Sequence, residues 1–558
     1  MSLVGFDRAH LGLYLPKLVT VFREGYGRAA LRHDVLAGVQ VAVVALPLAM
    51  ALAIASGAPP ERGLWTAVVA GFLISALGGS RFQIGGPTGA FVVVVFDVIQ
   101  RFGYDGLVIA TLMAAVMLVV AGALGLGTVI KYIPEPVVTG FTAGIAVIIF
   151  SSQVAPFLGL ATGELPGDVV AKWQAMIAAL PTAQAGTVAT GAAVLATIIL
   201  LRRYRPDLPV FLVAVTLGSL IALLLPGEIA TIGTEFGGLD ASLPAIGLPA
   251  VDGARLMELL PSAFTIAFLA GVESLLSAVV ADGMTGRRHR SNCELVAQGV
   301  ANAGSALIGG LPATGAVART VTNVKLGARS PIAGIVHALT LLVFLVVAAP
   351  LAAHVPLAAL AAVLVMVAWN MSEYERFLHL MRAPVGDRLV LLVTFFLTVL
   401  VDLTFAVQVG VVLAALLFMS RMADAVAIET ADQLIERDVD DFARPRGGRW
   451  GDEVPAGVEV FRIGGPFFFA VANRLGEALD RVGTPPRLFV LDLDAVPFID
   501  ATGAAAIVTF VDHCHRHGTV VALAGVREQP RTVLSRLGLG ERPDVRFAAD
   551  VDAALAAR

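Results

Sequence analysis

The chain has 558 residues, of which 57% are hydrophobic and only 15% are charged, and its formal net charge is −4. Soluble globular domains carry about a quarter charged residues, so this composition excludes an ordinary soluble protein and indicates a membrane protein. The sequence has no basic domain, so a nucleic-acid partner is not expected. Its two cysteines, Cys293 and Cys514, give no disulfide framework.

The N-terminal segment, residues 1–33, carries scattered basic residues before any sustained apolar run. It is predicted to be cytoplasmic and not a cleavable signal. Residues 34–424 are predicted to form the membrane domain, with a first repeat at 34–245 and a second at 255–424. Fourteen apolar stretches begin near Val35, Leu64, Ala90, Gly106, Pro136, Gly186, Leu208, Leu259, Leu295, Ala316, Pro331, Pro356, Leu389 and Leu403. The stretches from Ala90 and Ala316 are too short to span as straight helices, since a span needs about 20 residues.

Loop charges predict the orientation of these spans. When the loops between successive spans are numbered from the N-terminus, the even-numbered loops are basic. They contain Arg81, Lys131, Arg202, Arg287, Lys325, Arg376 and their neighbours, and Arg421 follows the last span. The long odd-numbered loop before Leu259 is acidic, with Glu228, Glu235 and Asp240. Because cytoplasmic loops are enriched in Lys and Arg, both termini are predicted to be cytoplasmic, in a bacterial-type inner (plasma) membrane.

A short motif occurs twice. Residues Gly85 to Ala90 and Gly309 to Ala316 are near copies rich in Gly, Pro and Thr, and each precedes one of the two short helices. Seven spans per repeat is an odd number, so the second repeat is predicted to be inverted relative to the first. Inverted repeats with interrupted helices in matching positions are typical of secondary transporters with a binding site at the bilayer midplane.

The two motifs predict an anion site. Helix N-termini expose unpaired N–H groups and carry about half a positive charge each, and Arg319 adds a cation beside the second one. Arginine in this position could instead snorkel to lipid headgroups. Gln40 and the aromatic Phe141 are weaker candidates. The predicted substrate-binding residues are Gln40, Thr88, Gly89, Ala90, Phe91, Gly315, Ala316, Val317, Ala318 and Arg319.

Glu273 lies in the middle of an apolar run and is predicted to couple protons to transport, because a buried carboxylate can carry a proton. A structural ion pair with Arg319 or Lys325 is the alternative. Asp34, Asp97 and Asp282 lie near predicted helix ends and need no special role.

Residues 430–558 are predicted to form a small cytoplasmic α/β domain, entered through the charged stretch Asp432 to Glu453. Strands are predicted at Gly457–Ile463, Arg487–Leu493 and Thr519–Ala524, and helices at Ala470–Arg481 and Asp500–His513. His513 and His517 share one helix face, but no second ligand pair accompanies them, so neither a metal nor another cofactor is expected. The sequence has no catalytic motif, so an enzyme is not expected.

The sequence resembles the SulP anion permeases. The resemblance rests on Leu46 to Ala51, Gly85 to Ala90, Glu273 to Leu276, Leu311 to Thr320 and Ala368 to Glu373. The tail, with Leu491-Asp492-Leu493 and Val496 to Asp500, resembles a STAS domain. The resemblance implies a polytopic α-helical membrane protein of 14 transmembrane segments, a seven-plus-seven inverted repeat split into core and gate domains. It also implies an elevator-like motion, a homodimer and an anion held between the two short helices.

Family members carry sulfate, bicarbonate, chloride, oxalate or C4-dicarboxylates, and the resemblance favours proton over sodium coupling. Two departures limit what is transferred: Ala318 stands where many animal relatives have Ser, and Ala501 follows Asp500 where phosphorylated STAS antagonists have Ser. The alternatives are an anion exchanger or uncoupled channel, a nucleobase symporter, and a scaffold whose STAS domain recruits a partner of unknown identity.

Overall fold

The structure is a computed structural model that describes residues 12–128, 134–163, 166, 169–205, 208–225, 229–242, 244, 246–247, 249–250, 253–424, 427–430, 455, 457–469 and 485–556. It divides into two compact units, Met1–Val412 and Leu413–Arg558. The predicted Lys131 and Glu228 loop charges, the stretch Asp432 to Glu453 and the helix Ala470–Arg481 lie outside the described residues.

The first unit is helical. Its first repeat contains α1 (Lys17–Glu24), α2 (Arg28–Ala55), α3 (Pro60–Leu77), strand β1 (Gly85–Gly86), a 3₁₀ turn (Gly89–Phe91), α4 (Val92–Ala123), α5 (Glu135–Leu158), α6 (Val169–Ala179), α7 (Ala185–Tyr204), α8 (Val210–Leu224) and α9 (Ile232–Phe236). The second repeat contains α10 (Gly253–Thr285), α11 (Ser291–Leu307), strand β2 (Thr314–Gly315), α12 (Val317–Lys325), α13 (Ile332–Ala352), α14 (Leu357–Met371), α15 (Tyr374–Leu380), α16 (Val385–Leu400) and α17 (Leu403–Asp424). By length and composition, eight helices in the described part of the chain could cross a membrane.

Each of the fourteen predicted apolar stretches begins inside a helix or within two residues of one. The third and fourth stretches lie in the single helix α4, which is broken at Gly103, where φ is 70°. Only glycine adopts this left-handed backbone without strain. The first stretch starts earlier than predicted, because α2 already begins at Arg28.

The helices form two packed groups. One contains α2, α3, α4, α10, α11, α12 and α13, and the other contains α5, α7, α8, α14 and α16. Small residues let helices of the first group approach closely: a Cβ atom on Gly38 would lie 2.4 Å from the carbonyl oxygen of Ala333, and one on Gly63 would lie 2.1 Å from that of Ala49. The resemblance implies a core and a gate domain, and we call the first set of helices the core group and the second the gate group.

Two buried carboxylates join the repeats, and the sequence analysis assigned a role to neither. Asp34 of α2 is fully buried. It accepts hydrogen bonds from the backbone N–H of Arg329 at 2.6 Å and of Ser330 at 3.1 Å, from Ser330 Oγ at 2.5 Å and from Tyr26 Oη at 2.6 Å. Glu294 of α11 accepts from the backbone of Gly79 and Ser80. Each carboxylate therefore caps a loop of the opposite repeat.

We expect Asp34→Ala to lower the free energy of unfolding of the full-length protein by about 2–5 kcal/mol, because two buried N–H groups lose their acceptor. Thermal unfolding of the purified protein measures this. Asp97→Ala is the matched control, because within the described residues the half-buried Asp97 forms an i,i+4 pair with the exposed Arg101 at 2.9 Å, and such a pair contributes about 0.5 kcal/mol. Equal melting temperatures for the two variants would contradict the capping role of Asp34.

The second unit contains a five-stranded sheet of order β3-β4-β5-β6-β7, in which β3 is antiparallel and the other strands are parallel. Its elements are β3 (Ala427–Thr430), β4 (Val458–Gly464), β5 (Leu488–Asp492), α18 (Ala501–Arg516), β6 (Val520–Ala524), α19 (Glu528–Arg536), β7 (Val545–Ala548) and α20 (Val551–Ala556). Asp500 caps α18, accepting from the backbone N–H of Gly503 at 2.7 Å. The three predicted strands and the predicted helix from Asp500 are confirmed.

Candidate functional site

The two repeated motifs meet in the structure. Strand β1 pairs antiparallel with β2, with Gly85 opposite Gly315 and Gly86 opposite Thr314. The Ala316 N–H also donates to the carbonyl oxygen of Ile84 at 2.9 Å. Since backbone groups inside a membrane need internal partners, the pairing satisfies two stretches that interrupt helices. The two segments leave the pair in opposite directions, the first into the 3₁₀ turn that leads into α4 and the second into α12.

Helix α10 supports this junction with a row of hydroxyl groups. Ser274 Oγ lies 2.5 Å from Thr314 Oγ1 and accepts from the Gly315 N–H at 3.2 Å. One turn later, Ser277 Oγ donates to Thr320 Oγ1 at 3.0 Å. Ser274 therefore fixes the strand before α12, and Ser277 fixes the first turn of α12.

Glu273 is adjacent to this row and contacts the other motif. Its Oε2 accepts a hydrogen bond from Thr88 Oγ1 at 2.9 Å, and its side chain is partly buried. Within the described residues it forms no ion pair with Arg319 or Lys325. The carboxylate therefore lies at the start of the first short helix, without a salt-bridge partner in the described part of the chain.

Arg319 crosses from the second repeat to the first. Only 4% of its surface is exposed, and Nη2 donates to the carbonyl oxygen of Pro87 at 2.9 Å. Nη1 lies beside Gly86, where a Cβ atom would be 2.5 Å from it. Arg319 and Glu273 interact electrostatically, so the site combines two helix N-termini and one guanidinium with a single carboxylate.

The remaining predicted site residues fall into two groups. Those around the junction are mostly buried: Thr88, Gly89, Ala90, Phe91, Gly315 and Ala316. Val317 is partly buried and Ala318 is exposed. Phe141 is buried on α5. Gln40 is exposed on α2 and forms no hydrogen bond within the described residues, so no polar contact joins it to the junction.

The structure also adds two residues that sequence reasoning missed. A Cβ atom on Gly89 would lie 2.4 Å from Met371 Sδ and 3.4 Å from Ile149 Cδ1. Met371 ends α14 and Ile149 belongs to α5, so helices of the gate group cover the start of the first short helix. Apolar residues in apolar helices give no sequence signal that would reveal this contact.

Comparison with known proteins agrees with this architecture. Residues 31–394 match the model of the sulfate permease family, and residues 451–554 match that of the STAS domain. The chain is 40% identical over 521 residues to the putative sulfate transporter YvdB of Bacillus subtilis, covering 92% of this chain and 95% of the relative. It is 33% identical to the bicarbonate transporter BicA of Picosynechococcus, covering 92% of each protein.

Two solved structures are similar. The transmembrane domain of a cyanobacterium bicarbonate transporter BicA is 31% identical, with a TM-score of 0.62, and the match covers 70% of this chain and 98% of that one. The murine Slc26a9 anion transporter in the inward-facing state has a TM-score of 0.85 at 18% identity, covering 100% and 96%, which shows the shared fold. The chain therefore belongs to the sulfate permease family of multi-pass membrane transporters and carries a C-terminal STAS domain.

Proposed function

We propose that the protein is a proton-coupled secondary active transporter of a small oxyanion of the sulfate, bicarbonate or C4-dicarboxylate class. The observation that carries this proposal is the antiparallel pairing of β1 with β2. It holds side by side the two motifs that lead into helix N-termini, and Arg319 reaches from the second motif to Pro87 of the first with two further guanidinium nitrogens that have no acceptor among the described residues. Anions bind at such helix ends through backbone N–H groups and the helix dipole.

The charge of the site supports an anion over a nucleobase. A buried guanidinium costs free energy unless an opposite charge compensates it, and an uncharged substrate supplies none. The names of the relatives, a putative sulfate transporter and a bicarbonate transporter, support an oxyanion. The intact junction also argues against a scaffold whose transport function has been lost.

Glu273 is the proposed proton carrier. When its carboxylate takes up a proton, the negative charge near the anion falls by one, and anion and proton cross together with a smaller net negative charge. The hydrogen bond from Thr88 links the proton position to the start of the first short helix. In the alternative, an exchanger or uncoupled channel, Glu273 has only a structural role.

The two helix groups support the proposal of an elevator motion. The junction is built from core elements, whereas Met371 and Ile149 belong to the gate group. We propose that the core slides past these apolar side chains and carries the anion with it, as one subunit of a homodimer in the plasma membrane.

The test is uptake of labelled sulfate and labelled fumarate into proteoliposomes, with and without an inward proton gradient and with unlabelled bicarbonate as competitor. We expect the gradient to raise the final accumulation of one anion several-fold, since about 1.4 kcal/mol of driving force changes an equilibrium ratio tenfold. Uptake that requires internal anion and ignores the gradient would support an exchanger instead. A conductance that follows the anion's electrochemical gradient alone would support a channel.

A further inference from the structure

The segment 82–87, which contains β1, is surrounded by polar side chains that are buried but incompletely hydrogen-bonded. Each exposes at most 4% of its surface. The atoms without a partner in the described part of the chain are Ser75 Oγ, both amide atoms of Gln83, Nε and Nη1 of Arg319, Oδ1 of Asn323 and both ring nitrogens of His337. We call these five residues the polar chamber.

Three members of the polar chamber lie at the start of the segment, and one of them, Gln83, belongs to it. Asn323 Nδ2 donates to the carbonyl oxygen of Phe82 at 2.8 Å. A Cβ atom on Gly334 of α13 would lie 2.0 Å from Ser75 Oγ and 3.4 Å from the carbonyl oxygen of Gln83. Ser75, Gln83 and Asn323 therefore gather around residues 82 and 83.

The other two members lie farther along the segment. A Cβ atom on Gly71 would lie 3.1 Å from the carbonyl oxygen of Gly85 and 3.9 Å from His337 Nδ1, so His337 lies near β1. Arg319 donates to the Pro87 carbonyl at 2.9 Å, and His337 interacts with it electrostatically. The Gln83 side chain lies directly over Gly315, because a Cβ atom there would be 1.5 Å from Gln83 Nε2.

The polar chamber contains most of the unpaired buried polar atoms in the described part of the chain. Of the eleven buried side-chain N and O atoms without a partner among the described residues, eight belong to the polar chamber. Leaving a buried polar atom unpaired costs about 1–3 kcal/mol. Buried water molecules in proteins typically make two to four hydrogen bonds to polar groups that would otherwise lack a partner.

We infer that the polar chamber binds ordered water behind the candidate anion site, and that this water links Arg319 to Gln83 and His337. An amide and an imidazole each offer an acceptor lone pair to water, so the water can accept from one of the two free nitrogens of Arg319, Nε or Nη1, and leave the other to the anion. Gln83 and His337 are then positioning residues that hold the guanidinium against Pro87. Their effect on transport rests on the proposed function, whereas the bound water does not.

Hydroxyl-radical labelling of the full-length protein in nanodiscs, with radicals generated from water by a short X-ray pulse, tests the water itself. We expect oxidation of His337 at least tenfold faster than that of Met50, which is 2% exposed on α2 and belongs to an easily oxidised residue type. Oxidation of His337 no faster than that of Met50 would overturn the inference. This measurement stands even if the wild type transports none of the anions tested.

Variants test the positioning role. We expect His337→Leu and Gln83→Leu to raise the KM for the transported anion about tenfold, with the maximal rate and melting temperature nearly unchanged. His337→Gln keeps a side-chain acceptor and restores the KM to within about twofold of wild type. A Leu variant that melts at a higher temperature with unchanged KM would show that the polar chamber holds no ordered water, and it would overturn the inference. If His337→Leu does not fold, the opposite effects expected for His337→Gln and Gln83→Leu decide the question.

Discussion

Arg319→Ala lowers anion uptake at subsaturating concentration by about 10- to 100-fold. The expected loss corresponds to about 1.5–3 kcal/mol for a hydrogen bond to a charged group, because the variant removes the one guanidinium that lies across both motifs. The measurement is the initial rate of uptake into proteoliposomes as a function of anion concentration. The loss should appear mainly in KM, since the side chain is proposed to bind the anion.

Two further arginine variants sharpen this prediction. Arg319→Lys keeps the charge but loses the planar fork that reaches Pro87, so its uptake should fall between those of the wild type and the Ala variant. Arg329→Ala is the matched control, because the Arg329 side chain is exposed and only its backbone N–H is used, by Asp34. Wild-type uptake by Arg319→Ala would contradict the proposed site.

Glu273→Gln abolishes the response of uptake to a proton gradient. Glutamine has the shape of glutamic acid, and its carbonyl oxygen can still accept from Thr88 Oγ1, but it cannot bind and release a proton. Uptake driven by the anion gradient alone should persist in the variant. The measurement compares initial rates with and without an inward proton gradient in wild type and variant.

The control for this experiment is Glu375→Gln, which changes an exposed carboxylate on α15 and should leave the gradient response intact. A gradient response in Glu273→Gln equal to that of the wild type would refute proton coupling through Glu273. Melting temperatures of the two variants separate a coupling defect from a folding defect.

The sequence predicted the features that leave a periodic or repeated pattern of residues along the chain. Long apolar stretches located the helices. The duplicated Gly-Pro-Thr motif located the junction, because a backbone that interrupts a membrane helix needs Gly and Pro, and these residues can be recognised in the sequence. The alternation of strands and helices likewise predicted the C-terminal sheet. These signals are local, so they can be read without knowing which segments meet.

Features that depend on contacts between distant segments were not predictable. Asp34 is an ordinary acidic residue near a helix start, and its role arises only because residues 329 and 330 fold back onto it. Gln83 and His337 carry no motif, and Met371 is one apolar residue among many. Gln40 was predicted from its polar side chain in an apolar run, and that prediction stays a prediction, since the side chain is exposed and forms no hydrogen bond within the described residues.

The pairing of β1 with β2 has a consequence for biosynthesis. Gly85 and Gly86 leave the ribosome long before Thr314 and Gly315, and nothing else in the described junction replaces the partner strand. The first motif therefore enters the bilayer with unpaired backbone groups, which are costly in hydrocarbon, and retains them until the second repeat is inserted. Contacts between segments so far apart form late, so a nascent chain that ends before residue 314 lacks the partner strand of its first motif.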